Sequence, residues 1–133
     1  MEQKKVVFIE DDEQDMRLIK LYLNQPIPEA EFLFLDNSLD LLNLFEQGVF
    51  PSIVFLDLNT PSISGQELLE NTRKLYPNCT TLFFIFSSSQ RRQDIIECYK
   101  LGVSGYFVKP YDINQFKSTI SVFNNIITSI EVV

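Results

Sequence analysis

Five polar residues stand just beyond short apolar runs in this 133-residue chain. Glu10 and Asp11 follow KVVFI (5–9), Asp57 follows SIVFL (52–56), Ser87 follows TLFFIF (81–86) and Lys109 follows GYFV (105–108). If these residues converge, three carboxylates face one ammonium and one hydroxyl. Like charges at 4 Å cost about 4 kcal/mol per pair at an effective dielectric near 20, so three such acids need a counter-charge. A hard divalent cation together with Lys109 would supply it. Mg²⁺ typically takes one or two carboxylates, a carbonyl and several waters, and leaves room for phosphate oxygens. The chain has no histidine. That excludes a Ser-His-Asp triad, a Cys-His pair and any His-ligated metal, and leaves oxygen-ligated chemistry.

Taken singly, an Asp that closes a strand is usually a loop or capping residue, and a lone Lys is usually solvated. What makes a site of these five is the set of elements that carries them. The apolar runs, with FLFL (32–35) as a fifth, are continuous rather than alternating, as in strands buried on both faces. Helical patterns lie between them. In FIEDDEQD (8–15), Asp12 is expected to N-cap a first helix with Asp15 as an approximate capping box, and Glu13 to be solvated. Met16, Ile19 and Leu23 form the core stripe of that helix. Ser38 is expected to cap a second, ended by Gly48; a third runs from Gly65 to Leu75 and a fourth from Arg91 to Leu101, stopped by Gly102. The last begins near Asp112 and spaces Ile113, Phe116, Ile120, Phe123, Ile127 and Ile130 by three or four.

This is (βα)5 alternation. It predicts an α/β fold, a flavodoxin-like doubly wound three-layer sandwich with a parallel sheet in the order 2-1-3-4-5. Parallel strands bring all their carboxyl ends to one rim, and the ligand crevice lies there, at the switch point between strands 1 and 3.

Composition bounds the rest. The chain is the length of one domain, here taken as residues 1–133, with 45% hydrophobic and 22% charged residues. A net charge of −7 argues against binding nucleic acid or anionic membrane by bulk charge. No apolar run reaches the length of about 18 residues that spans a bilayer. MEQKK leads straight into an apolar strand, with no signal peptide. Cys79 and Cys98, 19 apart and without a CxxC, read as passive thiols of a reduced, cytoplasmic protein.

The acidic pair of IEDD, the segment DLNTPSISG, the hydroxyl of FSSS and the Lys-Pro of GYFVKP together resemble the receiver domain of bacterial two-component response regulators, over roughly residues 4 to 125. The resemblance implies that Asp57 accepts a phosphoryl group from a partner phosphohistidine. It implies that Asp11, Asp57 and the carbonyl of Asn59 ligate Mg²⁺, with Glu10 holding it through water. Lys109 and Ser87 would contact the phosphoryl oxygens, and Ser87 and Tyr106 would form the conformational switch. Residues near Asn59 and Ser89 would govern the hydrolytic water. The implied partners are a sensor histidine kinase or a histidine phosphotransfer protein and a downstream protein effector, with no direct nucleic acid or membrane contact. Such a protein is a phosphoacceptor rather than an enzyme in its own right. The chain ends just past the last helix, which suggests a stand-alone receiver. Thr60, Ser62 and Ser88 depart from frequent residues of the family without removing a needed group.

Two surfaces are candidates for partners. Leu18, Leu21 and Tyr22 fall opposite the core stripe of the first helix and suggest a docking face. Val122 and Ile126 on the last helix, with helix 4, suggest an effector face or a homodimer through helix 4, strand 5 and helix 5. The alternative is that neighbouring helices cover both sets. Other functions fit less well. A haloacid-dehalogenase-type phosphatase needs DxD after the first strand, and an FMN carrier needs a Gly-rich phosphate loop where this chain has acid. A phosphorelay intermediate and a non-phosphorylated receiver-like binding module are the remaining alternatives.

Overall fold

The computed structural model describes residues 3–23 and 27–131; Met1, Glu2 and the terminus at Val133 lie outside the described residues. The elements alternate without exception: β1 (Lys4–Ile9), α1 (Glu13–Tyr22), β2 (Ala30–Leu35), α2 (Leu39–Glu46), β3 (Ile53–Leu56), α3 (Gly65–Leu75), β4 (Leu82–Ser87), α4 (Arg92–Lys100), β5 (Gly105–Val108) and α5 (Ile113–Ser129). All strand pairs are parallel, and the sheet order is β2-β1-β3-β4-β5, the expected doubly wound arrangement.

Side chains alternate across the strands and build one apolar layer on each face. Val6, Phe8, Ile53, Phe55, Phe84 and Phe86 meet α1 and α5; Val7, Ile9, Val54, Leu56, Phe83 and Ile85 meet α2, α3 and α4. The continuous apolar runs follow from this two-sided burial. It is complete in β3 but not in β2 and β5, whose residues are mostly half-buried. These are the two edge strands, and each has a neighbour on one side only.

Phenylalanine organises the α1–α5 face. Phe34, Phe8, Phe55 and Phe84 are register partners on adjacent strands. Their rings stack with centroids 5.9, 4.6 and 5.4 Å apart. Such offset pairs contribute about 0.5–1.5 kcal/mol each beyond area burial. The next position in that row is Gly105, where a Cβ would lie 3.2 Å from a ring carbon of Phe84. Phe123 of α5 covers the row, 4.4 Å from Phe55 and 5.0 and 5.1 Å from Phe107 and Phe86.

The helix ends follow local chemistry, with one correction. Asp12 caps α1 by accepting the Asp15 amide at 2.9 Å, and Asp112 caps α5 by accepting the Asn114 and Gln115 amides at 2.8 and 3.0 Å. Gly48 and Gly102 end α2 and α4 with φ of +78° and +84°. Ser38 sits at the start of α2 but does not cap it with its side chain. Asn37 Oδ1 accepts the Asp40 amide at 3.0 Å instead. The buried Ser38 hydroxyl faces the β3–α3 loop, 2.9 Å from Thr60 Oγ1, which itself donates to the Ile63 carbonyl at 2.7 Å. Thr60 thus ties that loop to α2. The loop also holds Ser62 at φ 73°, the one non-glycine positive φ among the described residues. Ser64 and Glu67 form a full capping box at the start of α3, matching the S-x-x-E pattern of the sequence.

Phe123→Ala removes a fully buried ring that packs against rings from four strands and should cost about 3–5 kcal/mol. Urea unfolding checks this: a midpoint like that of the unsubstituted chain would refute α5 as the cover of the Phe row.

Candidate functional site

The hydrogen-bond ladder of the sheet runs on past the strands and fixes the first residues of the rim. The Glu10 amide donates to the Leu35 carbonyl at 2.9 Å, the Asp57 amide to Ile9 at 3.1 Å and the Lys109 amide to Ser87 at 2.8 Å. Residues 47 and 52 positions apart in sequence therefore share one small site. Glu10 and Asp57 are buried at 3% and 5% exposure, while Asp11 is exposed. Carboxylate oxygens of Glu10, Asp11 and Asp57 all lie within 4.8 Å of one another. An all-oxygen, acid-rich donor set of this spacing fits a hard divalent cation such as Mg²⁺.

Asp57 is held at both oxygens. Its Oδ1 accepts the Asn59 amide at 3.3 Å and its Oδ2 accepts Lys109 Nζ at 3.0 Å. The chain behind it is closely backed by α3. A Cβ on Gly65 would lie 2.9 Å from both the Asp57 carbonyl oxygen and Leu58 Cα, so only glycine lets the helix start there. Ser87 is fully buried beside this group, and its hydroxyl accepts the Ser89 amide at 3.3 Å.

Lys109 is the centre of charge. Its ammonium contacts Glu10 at 2.6 Å, Asp15 at 2.9 Å and Asp57 at 3.0 Å. Asp15 is thus more than a capping residue. Its amide completes the Asp12 cap, but its carboxylate turns away from the helix start and accepts from Lys109 Nζ at 2.9 Å. The (i, i+3) acid pattern gave the cap and concealed this partner, which comes from 94 residues away.

One ammonium cannot balance four acids. Burial, and after it the charge of Asp57, push the Glu10 carboxyl up to about 8, against the opposing pull of Lys109 and of the Asp12 amide at 3.2 Å. Burial would lower Lys109, but Asp57 and Glu10 outweigh it and hold its pKa above the ordinary 10.5.

Tyr106 lies on β5, half-buried, with its hydroxyl donating to the Ser89 carbonyl at 2.9 Å. Burial, the leading cause, raises its pKa. The ring therefore joins the strand to the loop after β4. Ser89 is fixed further, since its hydroxyl donates to Asp94 at 2.6 Å. The two apolar surfaces divide. Leu18, Tyr22 and Ile126 are partly buried against the α1–α5 core, so the expectation that Leu18 and Tyr22 stand exposed is corrected. Packing of α1 against α5 covers them, and Asn124 Nδ2 donates to the Tyr22 carbonyl at 3.2 Å. Leu21 and Val122 are exposed, at 66% and 44%. Cys79 and Cys98 are both free thiols. Among the described residues no helix is long and apolar enough to cross a membrane.

Comparison with known proteins agrees with this geometry. The family model for the response regulator receiver domain matches residues 6–121. The chain is 29% identical over 114 residues to the chemotaxis protein CheY-3 of Vibrio cholerae, covering 86% of this chain and 87% of that protein. It is 27% identical over 112 residues to the response regulator Rcp1 of a Synechocystis species, covering 80% and 76%. Among solved structures, the phosphorylated cyanobacterial phytochrome response regulator RcpA superposes with a TM-score of 0.85 at 23% identity, over 96% of this chain and 95% of that one. The Mn²⁺-bound form of response regulator Rcp1 gives the same TM-score, 0.85, at 21% identity, over 98% and 99%.

The raised Glu10 carboxyl makes stability depend on pH in the metal-free protein. A carboxyl that binds its proton more tightly when folded stabilises the native state most below its unfolded value of 4.5, and this contribution is lost as pH rises through about 8. Lys109 is charged in both states throughout that window. With a chelator present, Glu10→Gln should therefore gain stability over the unsubstituted chain steadily from pH 5 to pH 8.5 (about the two ends of the window). Parallel urea curves at each pH, with a constant difference between the two proteins, would count against the raised carboxyl.

Proposed function

The chain belongs to the response regulator receiver family, and from that membership we propose that Asp57 accepts a phosphoryl group from a phosphohistidine on a partner protein. A carboxylate oxygen of Asp57 attacks phosphorus, the O–P bond forms, the N–P bond breaks, and the electron pair stays with the departing imidazole nitrogen. The observation that carries this reading is the pairing of a three-carboxylate cluster with a lysine that already donates to Asp57 Oδ2 at 3.0 Å.

Each residue has a role that its surroundings support. Asp11 and Asp57, with the main-chain carbonyl of Asn59, would hold Mg²⁺, and Glu10 would hold it through water. Bound there, the cation neutralises charge on the transferring group. Lys109 orients Asp57 before transfer and pairs with a phosphoryl oxygen after it. The Ser87 hydroxyl donates to another, giving up the Ser89 amide it now accepts from. Movement of the β4–α4 loop then reaches Tyr106, which is bonded to that loop at Ser89. The switch alters the face formed by α4, β5 and α5, where Tyr99, Tyr111, Ile113 and Val122 are exposed. That face suits a downstream protein or a second copy of the chain, and exposed Leu21 on α1 suits the phosphodonor, a sensor histidine kinase or a histidine phosphotransfer protein. The chemistry belongs to a cytoplasmic signalling protein that takes up a phosphoryl group rather than turning over a substrate.

Incubation with acetyl phosphate and Mg²⁺ should add one phosphoryl group to the intact mass. Asp57→Asn, or removal of the metal with EDTA, should leave the mass unchanged. An adduct that survives in Asp57→Asn would remove Asp57 as the acceptor.

A further inference from the structure

Three acids share Lys109, and the proposed reaction has uses for only two of them. Glu10 belongs to the cation cluster and Asp57 is the acceptor. Asp15, 2.9 Å from Nζ, has no part in either. Its position is firmly set, because its amide is bonded to Asp12 Oδ1 at 2.9 Å in the first turn of α1. An ammonium has three N–H donors, and Glu10, Asp15 and Asp57 use all of them. Lys109 itself is nearly enclosed, with 9% of its side chain exposed.

A phosphoryl group arriving at Asp57 therefore finds no free donor on Lys109. It also meets a carboxylate that touches the same ammonium as its target. Glu10 and Asp57 are almost fully buried, with side chains 2% and 7% exposed, whereas that of Asp15 is 27% exposed. Water compensates Asp15 best, so Asp15 is the acceptor that Lys109 can release at least cost. We infer that Asp15 is a positioning residue that acts through Lys109: it occupies the donor needed by the phosphoryl group, adds negative charge beside it, and so slows phosphorylation of Asp57. The inference rests on the reading of Asp57 as phosphoacceptor.

The test compares the full chain with Asp15→Asn, Asp15→Ser and Asp15→Glu. Phosphorylation by acetyl phosphate is followed by intact mass at saturating Mg²⁺ and donor concentrations well below half-saturation. The two neutral variants should react roughly three- to tenfold faster, as expected when one unit charge near the reacting group is removed. Asp15→Glu, which keeps the charge, should stay near the unsubstituted rate. The advantage of the neutral variants should shrink as ionic strength rises from about 0.02 M to about 0.5 M, because salt screens a partly exposed charge. A merely structural role for Asp15 would produce neither the recovery with Glu nor the salt dependence. Neutral variants that react at or below the unsubstituted rate, with thermal midpoints showing them folded, overturn the inference and leave Asp57 as acceptor intact. An unsubstituted chain that takes no phosphoryl group removes the underlying reading and this inference with it.

Discussion

The site is organised by a shortage of positive charge. Four carboxylates gather at one rim, and a single ammonium, Lys109, bonds three of them. In water such a cluster would disperse. Here the backbone does not let it, because Glu10 and Asp57 are fixed by sheet hydrogen bonds and enclosed by packed apolar layers. The shortage is met in part by protons, as the raised Glu10 carboxyl indicates, and in part by Lys109, whose charge the acids reinforce. The all-oxygen cluster of Glu10, Asp11 and Asp57 has the spacing that suits a divalent cation, which would complete the balance.

Holding like charges together requires a stiff frame, and the Phe row gives one. Rings stacked across four strands, covered by Phe123, set the strand spacing directly beneath the rim. Close-packed interiors transmit displacement rather than absorb it. On the other face Gly65 brings α3 against the Asp57 backbone with no room for a Cβ. Asp57 is thus confined from behind and open only toward the crevice. In the loop after β4, polar contacts replace packing: Ser87, Ser89, Asp94 and Tyr106 hold one another by single hydrogen bonds.

Most of the fold was legible because its signals are local. Apolar runs, helix stops at Gly48 and Gly102 and caps at Asp12 and Asp112 each depend on neighbours a few residues away. The carboxyl-end residues could be collected into one site because parallel topology makes strand ends converge whatever their separation. Legibility ended where a side chain had two possible partners. Ser38 has the chemistry of a cap, yet its hydroxyl goes to Thr60. Asp15 does lie in the first turn, yet its carboxylate goes to Lys109. Leu18 and Tyr22 lie opposite the main stripe of α1, yet α5 widens the buried arc to include them.

By itself, the sequence determined the order of elements, the parallel sheet, the rim on which the acids, Ser87 and Lys109 meet, and the absence of any imidazole chemistry. These follow from periodicity and composition, which are properties of the chain alone. Only the tertiary structure decided how charge is shared at that rim. Which carboxylate takes the proton, which ones hold Lys109, and that Asp15 is among them all depend on distances between residues up to 99 positions apart. Coulomb energies and desolvation vary steeply with those distances and with burial, and neither is written in the spacing of residues along the chain.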